Sequence, residues 1–145
     1  MIVKELKITP KDARKLTEAE RAQVDTRSPK GLVLAAIAGT NLIQDRLEKG
    51  LGFDGPLKAY SPDYLKIKQA RGFSGTVDLM WTGNMISSMT VKGHKEYSEI
   101  FFARAVEAKK AAMNNKTRPF FGLNSKDEVV IKDTYENYVF AGFGK

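Results

Sequence analysis

The chain has 145 residues, 42% of them hydrophobic and 28% charged, with 24 Lys plus Arg against 17 Asp plus Glu and a formal net charge of +7. That length suits a single domain able to bury about two thirds of its unfolded surface. Cysteine is absent and histidine occurs once, which excludes disulfides, thiolate metal sites and the Cys/His zinc sets.

No apolar run approaches the roughly 18 residues of a membrane span, since Gly31 to Ile43 is broken by Gly39, Thr40 and Asn41. Met1-Ile-Val-Lys4 lacks the basic-then-apolar plan of a secretory signal. The expected organisation is one domain over 1–145, with an N-terminal helical segment (1–27), a core (28–140) and a loose tail (141–145).

Three helix starts share one grammar: Thr9-Pro10, Ser28-Pro29 and Ser61-Pro62. Each places a hydroxyl where it can accept from an orphan N–H, then a proline where the missing donor does no harm. The first leads into Lys11–Leu16, and Thr17-Glu-Ala-Glu20 has the form of a capping box. The second opens a long helix, Pro29 to Lys49, with Val33, Ala36, Ile37, Thr40, Ile43 and Leu47 at helical spacing and Gly50 as its stop. Its small residues, Ala35, Ala36, Ala38 and Gly39, allow another backbone to approach.

Gly50 to Pro56 is a turn cluster without the Gly-Lys-Ser/Thr ending of a phosphate loop. Ser61 to Lys68 predicts a short basic helix ending by Gly72, and Thr82 is placed to cap another through Met85, Ile86 and Met89. Thr90–Lys92 and Tyr97–Phe102 read as two strands about a Gly93–Glu96 turn, with Ser98, Ile100 and Phe102 on one face. Ala103 to Met113 is rich in helix formers, and Asn114–Thr117 releases it. Ser125-Lys-Asp-Glu128 has capping-box form before a last helix with Ile131, Tyr135 and Tyr138 on one face, although Val129-Val-Ile131 equally suits a strand. The fold class expected is α+β: one long helix in the N-terminal half packed on a small mixed or antiparallel sheet, with additional short helices.

Reactive chemistry is poorly served. His94 lies in the expected hairpin turn, Ser87 and Ser88 lack a nucleophile elbow, and no Asp-x-Asp spacing suggests a metal site. Asp127 and Glu128 suit the positive end of a helix better than a carboxylate pair. No catalytic residue, cofactor or metal is expected. The basic surplus has a solvated-surface reading and a nucleic-acid reading, the latter resting on Lys66, Lys68, Arg71, Lys109 and Lys110.

Two stretches stand out, Val77-Asp-Leu-Met-Trp-Thr-Gly-Asn-Met85 onward to Val91, and Arg118-Pro-Phe-Phe-Gly-Leu123. Pro119 fixes its own φ and biases Arg118 to extended geometry, so Phe120 and Phe121 form either a core clasp or an assembly anchor. Trp81 and Met85 add apolar surface, and tryptophan is enriched at interface hot spots.

With Asp54-Gly55, Tyr60-Ser-Pro-Asp-Tyr64 and a following lysine, then Asp78-Leu79, Thr82-Gly83, Met85 and Ser88-Met89, then Arg118 to Leu123 before a closing helix, the chain resembles the virion-morphogenesis, tail-completion (neck) proteins of tailed bacteriophages over residues 54 to 135. The resemblance implies a non-enzymatic virion protein, assembled in the bacterial host cytoplasm. It also implies a homo-hexameric ring at the head–tail junction or tail end, other neck and tail proteins as partners, DNA in the lumen, and no membrane. The Thr82-Gly83 and Arg118–Leu123 corners would brace a small sheet. The interface candidates are Trp81, Met85, Arg118, Phe120 and Phe121, and the alternative is a small basic nucleic-acid-binding module.

Overall fold

A computed structural model describes residues 6–8, 17–79 and 83–143. Its longest element, α1 (Glu18–Glu48), starts from Thr17, whose side chain accepts from the Glu20 N–H while the Glu20 carboxylate accepts from the Thr17 N–H. The helix therefore begins eleven residues before Pro29 (Glu18 against Pro29), and Ser28-Pro29 is not a start. Proline there withdraws one donor from the helix. What carries α1 through is tertiary: the Ser28 hydroxyl pairs with the Tyr135 hydroxyl at 2.9 Å, and Arg27 donates to the Val139 and Ala141 carbonyls.

Of residues 1–27, expected to be helical, 18–27 form the start of α1. Leu6–Ile8 forms a strand, β1, and Thr9-Pro10 with Lys11–Leu16 lies outside the described residues. After α1, the turn cluster holds a minimal ribbon of β2 (Leu51–Gly52) and β3 (Gly55–Pro56). A Cβ on Gly52 would run into the Pro119 carbonyl and Leu57, so only glycine lets this ribbon meet the Arg118–Leu123 corner.

The next helix, α2 (Pro62–Ala70), is capped as expected by the Ser61 hydroxyl, which accepts from the Tyr64 N–H at 3.3 Å. Thr82, the expected cap of the next helix, lies outside the described residues. That helix, α3 (Asn84–Ser87), follows Gly83 in the left-handed region at φ 81°. Then come β4 (Met89–Gly93) and β5 (Ser98–Phe102), joined by a turn closed by the His94 N–H to Tyr97 carbonyl bond at 2.8 Å.

The sheet is antiparallel in the order β1-β5-β4, with Leu6 opposite Ile100 and Val91 opposite Ile100 on its other side. Ser98, Ile100 and Phe102 are buried, as the alternation requires. β1 fills the edge that β4 leaves open on β5, and an unpaired edge is a demand of tertiary structure without a local sequence signal.

The expected release at Asn114–Thr117 does not occur: α4 spans Ala105–Thr117. The last helix, α5 (Ser125–Val139), is capped one residue earlier than expected. Asn124 accepts from the Asp127 N–H and the Asp127 carboxylate accepts from the Asn124 N–H. Its buried stripe is Ile131, Tyr135 and Val139, at four-residue spacing, with Tyr138 beside it and only half-buried.

α1 separates two apolar clusters. On one side Ala36, Ile43 and Leu47 meet the sheet through Ile100 and Phe102, together with Met89, Phe120 and Phe121. On the other, Leu32 and Ala35 meet Ile131, Tyr135 and Val139 of α5. The small residues of α1 thus serve the protein's own core: a Cβ at Gly31 would lie 2.6 Å from a Val139 methyl, and Gly39 is met by both Ile100 and Ile131. The end of α5 is tied down too, since Arg27 sits 5.4 Å from the Phe143 ring and Phe143 packs on Phe140. Of the expected tail, Ala141 and Phe143 carry these contacts, and residues 144–145 lie outside the described residues. Among the described residues no helix is long and apolar enough to cross a membrane.

Candidate functional site

The blocks singled out in the sequence come together at one corner. Lys68, on α2, is completely buried, and its ammonium donates to Asp78 Oδ1 at 2.6 Å and to the Tyr60 hydroxyl and the Thr76 carbonyl at 3.3 Å each. An ammonium has three donors, and each has a partner here. Burial is the largest single influence on this group and pulls its pKa down. The hydrogen bonds to Asp78 and Tyr60, with the charge of Asp78, outweigh it and hold the pKa above the ordinary lysine value of 10.5.

Tyr60 is the hub. Its hydroxyl also accepts from the Leu79 N–H at 3.0 Å, and Lys68 Nζ and Arg118 Cζ stand 4.7 and 5.0 Å from its ring centre. Leu79 has φ 58°, a left-handed conformation that costs a leucine about 1–2 kcal/mol. Left-handed residues therefore stand at both ends of the Met80–Thr82 segment, Leu79 before it and Gly83 after it.

Arg118 closes the corner from the other block. Its guanidinium donates to the Lys58 carbonyl at 2.7 Å and the Ala59 carbonyl at 3.1 Å. Behind it, one oxygen of Asn115 accepts from the N–H groups of both Phe120 and Phe121 at 3.0 Å. Arg46 donates to the Gly122 carbonyl at 2.7 Å and pairs with Asp127. The chain direction through Phe120-Phe121-Gly122 is therefore fixed by Asn115 of α4 and Arg46 of α1, the latter held by Asp127 of α5.

Phe120 and Phe121 both turn inward, 1% and 2% exposed, against Phe102 at 6.3 and 5.1 Å between ring centres. They are a core clasp, and neither offers its ring to a neighbour. Met85 is buried in the same cluster. Trp81 lies outside the described residues. Of the basic candidates, Lys68 is withdrawn from any ligand by its burial, while Lys66, Arg71, Lys109 and Lys110 are exposed. His94 stacks on Tyr97 at 4.3 Å in the β4–β5 turn and is not among the residues of this corner.

Next to the corner opens a cleft of about 530 Å³, walled among the described residues by Tyr60, Tyr64, Met85, Glu107, Lys110 and Arg118. Glu107 was not singled out in the sequence. It is 2% exposed, with Oε1 3.4 Å from Lys110 Nζ and no hydrogen-bond partner on Oε2. Its signal was positional: Glu107 precedes the buried Ala111 by one helical turn, on the inward stripe of an alanine-lysine helix. Among the described residues no three His, Asp or Glu side chains gather as a metal site.

No family model, curated protein or solved structure matches this chain.

Proposed function

We propose that this chain is a structural virion subunit of a tailed bacteriophage, one that forms a ring at the neck or tail end and completes the tail or joins it to the head. What supports the reading most is the meeting of the three blocks on which the family resemblance rests. The Tyr60–Tyr64 block, the Asp78-Leu79 block and the Arg118–Leu123 block join through Lys68 with Asp78, Leu79 with Tyr60, and Arg118 with the Tyr60 ring. The residues on which the resemblance rests then brace a scaffold, which is what a subunit defined by its surfaces needs.

The burial of Phe120, Phe121 and Met85 moves the ring contacts elsewhere. Val106 and Met113, 63% and 66% exposed and two turns apart on α4, are the apolar pair available to a second copy. Sedimentation velocity on the purified chain, with negative-stain imaging of particles assembled with Trp81→Ala, tests the proposal. A ring-sized species and defective tails are expected. A monomer at every concentration, or a gene flanked by no portal, capsid or tail-tube genes, would count against it.

A second reading, a small basic nucleic-acid-binding module, draws on the net charge of +7 and on the exposure of Lys66, Arg71 and Lys109. It requires binding to duplex or single-stranded DNA that weakens steeply with salt. A flat titration at low salt dismisses it.

A further inference from the structure

We propose that the cleft between the start of α2, α3 and α4 is a binding site for a cationic group, an ammonium or guanidinium, received by the carboxylate of Glu107. The inference goes beyond the assembly reading and stands on the cleft alone. A carboxylate offers about four lone-pair sites, and buried carboxylates are normally satisfied. Glu107 is 2% exposed, yet it has one long contact to Lys110 on Oε1 and none on Oε2, and it forms part of the wall of a cavity. The group missing from this arrangement is a donor.

The rest of the wall selects among donors. Tyr64, its ring centre 4.8 Å from that of Tyr60 and tilted by 58°, supplies aromatic surface of the kind that attracts organic cations, the Tyr60 ring being engaged by Lys68 and Arg118. Leu79 and Met85 supply apolar wall for an alkyl stem. About 530 Å³ exceeds what one guanidinium fills and lies within the range of small-ligand sites.

An anion is disfavoured by the state of the two cations present. Arg118 is already held by two carbonyls and the Tyr60 ring, and the Lys110 side chain is 54% exposed at the rim. The cation has two sources of one chemistry, a free diamine or polyamine, or a lysine or arginine side chain of a second copy.

Agmatine carries both head groups on one stem and is the probe, titrated calorimetrically into the full chain. Saturable binding is expected, weakened about tenfold or more in Glu107→Gln. It should be strengthened in Lys110→Met, which removes the competing ammonium at the exposed rim and leaves the core untouched. Sedimentation with and without agmatine separates the sources: dispersal of an oligomer assigns the site to a second copy, and an unchanged species assigns it to a free ligand. No agmatine binding by the natural chain, equal binding by Glu107→Gln, or weaker binding by Lys110→Met would overturn the proposal, as would malonate binding in place of agmatine.

Discussion

Lys68 shows how one side chain changes meaning on folding. In the sequence it is one of several lysines in a basic helix. In the structure it is the centre of a buried polar cluster whose members all have partners. Removing one partner from such a pair leaves a buried charge and typically costs about 3–5 kcal/mol, whereas replacing both members with apolar residues is often neutral. Asp78→Ala is therefore expected to destabilise the protein by about 3 kcal/mol in urea unfolding, and Lys68→Met by less, because the Asp78 side chain it leaves behind is 22% exposed and reaches water. Because the folded pKa is raised, the stabilisation is fully present below 10.5 and is lost as pH rises through the higher folded value. Thermal unfolding followed from pH 8 to 12 is expected to show an alkaline loss that Lys68→Met diminishes. Phe121 belongs to the same scale: Phe121→Ala should cost about 3–5 kcal/mol of stability, so any assembly defect it produces is a defect of folding. A circular-dichroism melt distinguishes the two.

At the scale of elements, local grammar located most helices but could not rank its own signals. Ser28-Pro29 and Thr17–Glu20 are both valid starts, and the structure uses the earlier one because Ser28 is drawn to Tyr135 and Arg27 to the end of α5. Pro29 then sits inside α1 as an exposed helix-interior proline, a placement that costs about 3 kcal/mol against alanine. Pro29→Ala should accordingly stabilise the protein by about 1–3 kcal/mol, read as a rise in the urea midpoint. The opposite is expected at Gly31, where a Cβ meets Val139 and Tyr135 of α5. Gly31→Ala should cost about 1–3 kcal/mol by overpacking, measured in the same unfolding series. The Asn124–Asp127 cap illustrates a different limit. Two overlapping boxes one residue apart look alike in sequence, and Asp127 is selected because only there does it also meet Arg46.

For the whole molecule, α1 acts as the divider between two cores, and the surface left over decides assembly. If Val106 and Met113 form the ring contact, a Val106→Asp, Met113→Asp pair should leave the melting temperature within a few degrees, because both side chains are exposed. It should also shift the sedimenting species to monomer. His94→Ala is the control, expected to alter neither. An unchanged oligomer in the double variant would send the search for the contact to Ile37, Val129 or Val130, the other exposed apolar side chains on the long helices.

Whatever is periodic or local could be read along the chain. That covers the long helix from Pro29 onward with its small-residue face, the alternation of Ser98, Ile100 and Phe102 within the expected strand Tyr97–Phe102, the Ser61 cap and the α+β class, because each is specified by residues within a turn or two of one another. Tertiary structure alone decided that Leu6–Ile8 becomes a strand, that both phenylalanines of the corner turn inward, that Lys68 is buried, and that Glu107 is left with an unpartnered oxygen beside a cleft. Those outcomes depend on partners many residues away, such as β5 for β1 and Asp78 for Lys68. Burial and charge pairing act on whatever the fold brings near, and neighbourhood in space is not written in neighbourhood along the chain.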